Sequence, residues 1–353
     1  MRRRLAAQFL TGPRAQSALD VMHSLIAVQA QEYLQAKWGL ALRTRDSAEA
    51  DVEKLVNDGS ILRTHALRPT WHFVSARDLR WVLALTGPRV HVANAHPYRR
   101  LELDAAIFRK SRNAITRALE GGEQLTRNQL KDVLLRVKID LGETQRLPYI
   151  LMHAELEGLI CSGVRQDKQS TYALLDERVP PFPAVERDEA LLRMVFGYFK
   201  TRGPATVHDC AWWSGLTISE IKRGIDIAAT ALENVASDDK TYWCAPASRL
   251  PKASSTHLLP IYDEYFIGLK DRSAIGQRVS DGKVVLGSNA LFANIAFIDG
   301  QIVGGWKRTL HKGTVEIDFT PLVRLSAAEK TRIAAEAERF GEFLGLRAVL
   351  RTP

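Results

Sequence analysis

The chain has 353 residues, more than one compact core usually holds, so we expect about two to four packed units. Its hydrophobic content of 46% and charged content of 25% are ordinary globular values, which exclude a disordered or collagen-like chain. The net charge is +9, and residues 1–100 carry 15 Lys and Arg against 8 Asp and Glu. This basic excess indicates either a polyanion partner such as nucleic acid or a solvated basic surface without a partner.

Hydrophobic periodicity predicts a first unit over residues 1–100. It contains helices over residues 17–28 and 49–58, followed by a strand pair over residues 60–64 and 71–74. Capping-box patterns, in which Ser or Thr precedes an acid or amide by three positions, mark four helix starts along the chain. They begin at Ser75, Thr126, Thr217 and Ser326.

The second unit, residues 101–180, has the clearest pattern. Helices are predicted over residues 127–137 and 148–157, and strands over residues 159–162 and 171–174 flank a polar tip. Helix, turn, helix and hairpin is the order of a winged helix, a fold that often binds DNA.

The same order recurs in a third unit, residues 186–248. Its predicted helices are 191–201, 208–214 and 219–232, and its hairpin joins residues 233–236 to 241–244. Residues 256–353 then give strands over 257–259, 293–298, 302–306 and 314–319 before a closing helix over 327–344. The sequence predicts an α+β fold, mostly α, with three tandem winged-helix units, a strand-rich C-terminal segment and a final helix.

The sequence lacks the motifs of several common enzyme classes and metal sites. The three cysteines, Cys161, Cys210 and Cys244, are widely spaced and form no CxxC pair, so we expect no disulfide framework, metal site or cofactor. The sequence also has no GxSxG, Walker-type or HExxH motif. No stretch approaches the roughly 18 apolar residues of a membrane span, and the N-terminus is too polar for a secretory signal. We therefore expect a cytoplasmic chain without a membrane partner.

One short segment, Val28 to Tyr33, contains Gln29 and Gln31. Residues two apart point to opposite sides of a helix, whereas in extended or turn backbone they share a side. The preceding helix must therefore end near Val28 for the two amides to cooperate. Two convergent amides can hold a water or a sugar hydroxyl, although neither acts as a general base at neutral pH. Without further context, two such glutamines are in most proteins solvated surface residues.

The run from Ala27 to Tyr33, with residues 36–40 behind it, resembles the AlkZ/YcaQ family of bacterial winged-helix DNA glycosylases. The catalytic motif of that family is Gln-x-Gln in one branch and Gln-x-Asp in the other, and this chain has Gln at both places. Further stretches agree in order over nearly the whole chain. They are residues 63–64, 68–74, 78–81, 125–127, 153–160, 211–217, 259–260, 262–265, 270–272 and 305–308.

The resemblance implies three winged-helix units around a basic channel for double-stranded DNA. It implies monofunctional hydrolysis of the N-glycosidic bond of N7-alkylated purines, including those in interstrand crosslinks, with Gln29 and Gln31 as the catalytic pair. Glu32 lies beside the pair, where it either polarises the attacking water or is a surface acid at a helix end. An N7-alkylpurine is already cationic and leaves as a neutral base, so the absence of a carboxylate pair fits this chemistry.

Two further groups are candidates for contact with DNA. Arg68, Trp71 and His72 are candidates near the lesion, although Trp71 also fits the inward side of a strand. The hairpin tip offers Arg165, Lys168 and Gln169 as phosphate contacts or as a merely solvated turn. We expect Trp212, Trp213 and Trp306 to be core aromatics, and we expect residues 262–265 and 270–272 to form structural hydrogen bonds and ion pairs.

The function predicted from the sequence is a DNA repair glycosylase that acts as a monomer, leaves an abasic site and requires no cofactor. The main alternative is a non-enzymatic winged-helix DNA-binding protein or transcriptional regulator. A third possibility is that the basic surface binds protein or RNA.

Overall fold

The structure is a computed structural model that describes residues 1–142, 144–167, 169–237, 239–246, 254–279 and 294–352. Its helices are α1 (Arg2–Ala7), α2 (Ala18–Leu25), α3 (Tyr33–Ala41), α4 (Glu49–Asn57), α5 (Ala76–Ala93), α6 (Ala95–Arg100), α7 (Ala105–Leu119), α8 (Arg127–Arg136), α9 (Arg146–Leu156), α10 (Leu175–Arg178), α11 (Arg187–Arg202), α12 (Val207–Ser214), α13 (Ile218–Ala228), α14 (Glu264–Ile267) and α15 (Ala327–Leu344). Short 3-10 helices cover Ala229–Ala231 and Ser273–Ile275.

The strands are β1 (Ala27–Gln29), β2 (Ile61–His65), β3 (Trp71–Ser75), β4 (Leu125–Thr126), β5 (Ile160–Ser162), β6 (Thr171–Leu174), β7 (Glu233–Ser237), β8 (Lys240–Cys244), β9 (Thr256–Leu259), β10 (Asn294–Ile298), β11 (Gln301–His311), β12 (Thr314–Pro321) and β13 (Arg347–Arg351). The chain is therefore an α+β protein, as predicted. Within the described ranges, none of the helices combines the length and apolarity needed to cross a membrane.

Two segments repeat one topology. In each, a helix leads into a short strand, two further helices follow, and a hairpin returns to pair with the first strand. The sheet orders are accordingly β1-β3-β2 and β4-β6-β5. A third segment, α11 to β8, follows the same order, with its first strand reduced to a bridge between Ala205 and Trp243. The C-terminal segment forms a five-stranded sheet, β13-β12-β11-β10-β9, in which β12 and β13 are parallel.

Helix α2 ends three residues before the predicted boundary at Val28. Its cap residue Ile26 has φ 67° and ψ −54°, a left-handed conformation that is strained for a β-branched side chain. This backbone conformation changes the direction of the chain between helix α2 and strand β1. Gly197 of α11 makes room for this turn, since a Cβ there would lie 2.5 Å from Ile26 Cδ1.

The capping boxes at Thr126, Thr217 and Ser326 are present. At Ser75 the helix start is correct, since α5 begins at Ala76, but the capping box does not form, because the hydroxyl donates to Asp78 Oδ2 at 2.6 Å and caps no backbone N–H group. The predicted helix over 219–232 is also too long, since α13 ends at Ala228 and the backbone of Ala229 has φ 44°.

The apolar cores join regions that are distant in sequence. The first core packs α2 to α4 against the C-terminal sheet and α15. In it Trp38 packs edge-on against Phe340 at 5.1 Å and donates its indole N–H to the Leu258 carbonyl at 2.8 Å. The second core joins β1 to β3 and α5 to α11, α12 and α13. Strand β1 therefore lies between the two cores, where the C-terminal segment and the third segment both approach it.

Candidate active site

Gln29 and Gln31 lie where strand β1 ends. Gln29 is the last strand residue and is half-buried, whereas Gln31 is exposed. Between them, the Ala30 N–H donates to the Trp71 carbonyl at 2.7 Å, so the pairing with β3 continues past the strand. The helix thus ends before the two glutamines, and Gln31 lies in the bend between strand β1 and helix α3.

The side chain of Gln29 is fixed by Arg68. Arg68 Nη2 donates to Gln29 Oε1 at 2.9 Å, and Arg68 Nη1 donates to the Trp213 carbonyl at 2.6 Å. Because a guanidinium group has only donors, the amide oxygen of Gln29 must face Arg68 and its NH2 group must face away. Burial lowers the pKa of Arg68, while the carboxylate of Glu264 raises it.

The backbone of Gln29 is fixed by a buried ion pair. Its N–H donates to Glu264 Oε1 at 3.0 Å. Glu264 Oε2 accepts from Arg202 Nη2 at 2.6 Å and from Trp213 Nε1 at 2.8 Å. The side chains of Arg202 and Glu264 are 0% and 1% exposed, so the pair is shielded from water and holds three segments of the chain together at this point.

Gln31 is held by fewer contacts. Its Oε1 accepts from Thr70 Oγ1 at 2.9 Å. Arg63 contacts the backbone, donating to the Ala30 carbonyl at 2.9 Å and to the Gln31 carbonyl at 3.2 Å. A hydroxyl both donates and accepts, so Thr70 fixes the amide orientation less firmly than Arg68 fixes that of Gln29.

Trp71 and His72 of β3 lie on opposite faces of the sheet. Trp71 is half-buried, with the Arg63 guanidinium 4.1 Å from its ring centroid and the His65 ring at 4.8 Å. His72 pairs with Gln29 in the strand register and is fully buried. Burial, followed by the positive charge of Arg68, lowers the pKa of His72 well below its usual value. This burial argues against the direct DNA contact predicted for His72.

Glu32 is exposed and occupies the N-cap position of α3 without forming a side-chain cap. Its charge acts on two residues of the C-terminal segment. Burial and then Glu32 raise the pKa of Tyr262, and Glu32 counteracts the lowering of the Arg308 pKa by burial. The C-terminal segment therefore brings a phenol and a guanidinium close to Glu32, which follows the exposed Gln31.

The hairpin tip lies against the first segment. Arg165 is 4.4 Å from the Tyr33 ring centroid, and its Nη1 is 3.9 Å from Glu53 Oε1. Gln169 is exposed. Lys168 lies outside the described residues. The tip thus contacts the protein through Arg165 and presents Gln169 to solvent.

Trp213 and Trp306 are buried, as predicted, whereas Trp212 is 41% exposed and not a core residue. Residues 262–265 form the expected ion pairs: Glu264 binds Arg202, and Asp263 binds Arg43 through two bonds of 2.8 Å. Sequence reasoning missed the roles of Arg202 and Thr70 at the site. Only the paired acids at 263 and 264 gave a signal, and it did not identify their partners.

Comparisons with known proteins identify the family and the fold of this chain. A family model described as DNA glycosylase AlkZ-like matches residues 22–343. An interstrand DNA cross-link repair glycosylase from Streptomyces sahachiroi is 24% identical over 360 residues, which cover 95% of this chain and 94% of the relative. The solved structure of the Streptomyces sahachiroi DNA glycosylase AlkZ has the same fold, with a TM-score of 0.79 at 21% identity. It covers 100% of this chain and 98% of that chain.

Proposed function

This chain belongs to the AlkZ-like DNA glycosylase family and is a DNA repair enzyme that acts on N-glycosyl bonds, and we propose that its substrates are N7-alkylated purines in double-stranded DNA. The observation that supports this proposal best is the fixed amide of Gln29. Arg68 holds its oxygen and Glu264 holds its backbone, so the NH2 group is aimed by the protein before any substrate arrives. Such preorganised donors are effective where charge changes during a reaction.

In the proposed reaction, the Gln29 NH2 group donates to the oxygen of a water molecule, and the Gln31 amide oxygen accepts from that water. The water oxygen bonds to the anomeric carbon as the bond from that carbon to the purine nitrogen breaks. The bonding electrons pass to the base, which leaves neutral, and the water gives up one proton to bulk solvent on the exposed side, next to Glu32. A cationic leaving group needs no acid catalyst, so two amides can position the water without a general acid beside them.

We assign Glu32 the role of polarising this water from the exposed side. It is the acid next to the pair in sequence, and its charge raises the pKa values of Tyr262 and Arg308. For Arg68, the bond to Gln29 favours a positioning role over the direct DNA contact predicted from the sequence.

The named relative is an interstrand DNA cross-link repair glycosylase. We extend that substrate to this chain as a proposal, because Gln31, Glu32 and Trp212 are exposed beside the half-buried Gln29. A crosslinked base cannot be flipped whole into a closed pocket, so an open site suits it.

We propose that residues 1–100, 101–180 and 186–248 are three winged-helix units and that residues 256–353 complete the first of them. The repeated sheet order supports the first two units, and the shared core of Trp38 and Phe340 supports the last assignment. Trp71, Arg165, Lys168 and Gln169 remain our candidates for DNA contact. We propose that the enzyme works as a monomer in the cytoplasm.

The test is base release from a duplex carrying one N7-methylguanine and from a duplex carrying one nitrogen-mustard crosslink. Abasic sites are revealed by heat or alkali for the wild type, Gln29→Ala and Gln31→Ala. We expect base release to be slower in both variants than in the wild type, while their melting temperatures stay unchanged. No release from either duplex by a protein that binds DNA tightly would contradict the proposed substrates.

A further inference from the structure

A second cluster of chemically active side chains lies away from the glutamine pair. His91 is near the end of α5, while His153 and Glu157 lie four positions apart at the end of α9. One ligand atom from each of the three, a ring nitrogen or a carboxylate oxygen, lies within 4.8 Å of the other two. The four-residue spacing places His153 and Glu157 on one face of the helix, directly toward His91.

Two of the three residues are already held in a ligand-like arrangement. His91 Nε2 is 3.0 Å from Glu157 Oε1. The other ring nitrogen, Nδ1, is 3.0 Å from the hydroxyl of Tyr98. A metal-bound histidine usually has a hydrogen-bond partner on its second nitrogen, which fixes the ring and its tautomer. Tyr98 occupies that place for His91.

The third residue, His153, is oriented by its surroundings. Its ring stacks on Phe108 with centroids 3.7 Å apart and an interplanar angle of 14°. The stacking fixes the plane of the imidazole, and the ring nitrogens that can bind a metal lie in that plane.

We propose that His91, His153 and Glu157 form a binding site for a divalent transition metal ion, with Zn²⁺ as its best-fitting occupant. Two imidazoles and one carboxylate are a common Zn²⁺ ligand set, with bond lengths of about 2.0–2.2 Å and the fourth position left to water. Tetrahedral ligands at such distances lie about 3.3–3.5 Å apart. The His91 and Glu157 atoms are 3.0 Å apart, slightly closer than this spacing, and the His153 ligand atom lies within 4.8 Å of both, so small side-chain movements would bring all three atoms to it.

A cavity beside the three residues gives an ion access to them, and charged side chains of both signs surround it. A cavity of about 350 Å³ adjoins the cluster and is lined by His153, Glu157, Arg109 and Arg112. The carboxylate of Glu157 offsets part of the ion's charge, whereas the arginines oppose it and favour an anion or hydroxide in the fourth position. The ion would join α5 to α9 and so stiffen the contact between the first two segments.

The experiment uses the full-length, untagged chain stripped of metal with EDTA, and titrates it with Co²⁺ as a spectroscopic substitute for Zn²⁺. We expect one equivalent of Co²⁺ to give a saturable visible absorption band that Zn²⁺ then removes. His153→Ala and Glu157→Gln should weaken binding at least about tenfold, and Tyr98→Phe about 10- to 100-fold. His96→Ala, which replaces an exposed histidine of the neighbouring helix α6, should bind as the wild type does.

A measurement on the wild type alone guards against variants that fail to fold. Diethyl pyrocarbonate labelling of histidines, located by mass spectrometry, should fall at His91 and His153 on addition of Zn²⁺ and stay constant at His96. Absence of the Co²⁺ band, or Zn²⁺ binding that leaves the labelling of His91 and His153 unchanged, would overturn the proposal. The His91 and Glu157 pair would then be an ordinary surface ion pair.

Discussion

The two glutamines of the proposed active site are two positions apart in sequence, yet the protein holds them very differently. Gln29 is half-buried, and its oxygen and its backbone N–H both bind charged groups, Arg68 and Glu264. Gln31 is exposed, and its amide oxygen accepts from the neutral hydroxyl of Thr70. The difference separates a rigid half of the site from an adaptable half.

A division of this kind suits an enzyme that must position a water and also admit a damaged duplex. The rigid half costs no reorganisation when the reaction occurs, because its donor is aimed beforehand. The adaptable half lies at the surface, where the proposed substrates of different size would approach. Changes on the Gln29 side should therefore have larger effects than changes on the Gln31 side.

The largest effect is expected from Glu264→Gln, which leaves the buried Arg202 without its counter-charge. Breaking one partner of a buried ion pair costs about 3–5 kcal/mol, so the free energy of unfolding should fall by that amount. Chemical denaturation followed by circular dichroism measures it. Asp263→Asn is the matched control, because Asp263 forms a similar buried pair with Arg43.

Both variants should lose stability, but only Glu264→Gln should also slow base release at a temperature where both remain folded. Equal loss of activity in the two variants would show that Glu264 acts through general stability and not through Gln29.

The next effect is expected from Arg68→Met, which frees the amide of Gln29 to rotate. Loss of alignment by about 1 Å can cost about a hundredfold in rate, so single-turnover base release should slow by that factor. Affinity for undamaged duplex should change little if Arg68 positions Gln29. A large loss of duplex affinity with normal single-turnover chemistry would instead assign Arg68 to DNA binding.

A smaller effect is expected from Thr70→Val, which removes one neutral hydrogen bond to Gln31 without changing side-chain size. A hydrogen bond of this kind is worth about 0.5–1.5 kcal/mol, so release should slow about threefold to tenfold. The same single-turnover assay measures it. A loss as large as that of Arg68→Met would contradict the distinction between the two halves.

The smallest effect is expected from pH. The amides do not titrate, and Arg68 keeps its charge. Burial lowers the pKa of His72, so this residue stays neutral in the folded enzyme. The rate of release should therefore vary less than about twofold between about pH 6 and 8. A bell-shaped profile within that range would require a further catalytic group that titrates there.

The burial of His72 should make the stability of the fold depend on pH, even though the rate of release does not. Below about pH 6.5 the unfolded chain binds a proton at this histidine that the folded chain does not bind. The free energy of unfolding should therefore fall as the pH drops below that value. Denaturation curves at pH 7 and pH 5 for the wild type and His72→Asn measure this contribution, which should be smaller in the variant.

Local patterns in the sequence predicted much of the fold. Helix α15, helix α8 and the hairpin of β5 and β6 lie where periodicity and caps placed them, because their signals come from residues a few positions apart. The end of α2 was missed because it depends on Ile26 and on the space that Gly197 leaves for it. Nothing within α2 itself encodes that space.

The site was predicted only in part, for the same reason. The sequence singled out Gln29 and Gln31, but the groups that hold Gln29 are far along the chain, with Glu264 235 positions away. The buried pair of Arg202 and Glu264 is a matter of tertiary packing, and periodicity carries no information about which charges meet. Trp212 was expected in the core, but the end of α12 leaves it partly exposed.

The most direct test of the account is a double-mutant cycle on single-turnover base release, with Arg68→Met, Gln29→Ala and the double variant measured on the N7-methylguanine duplex. If Arg68 acts through Gln29, its substitution should matter little once Gln29 is gone, and the double variant should be no slower than Gln29→Ala alone. If the double variant is instead slowed by the product of the two single-variant factors, the claim that Arg68 and Gln29 act as one unit is contradicted.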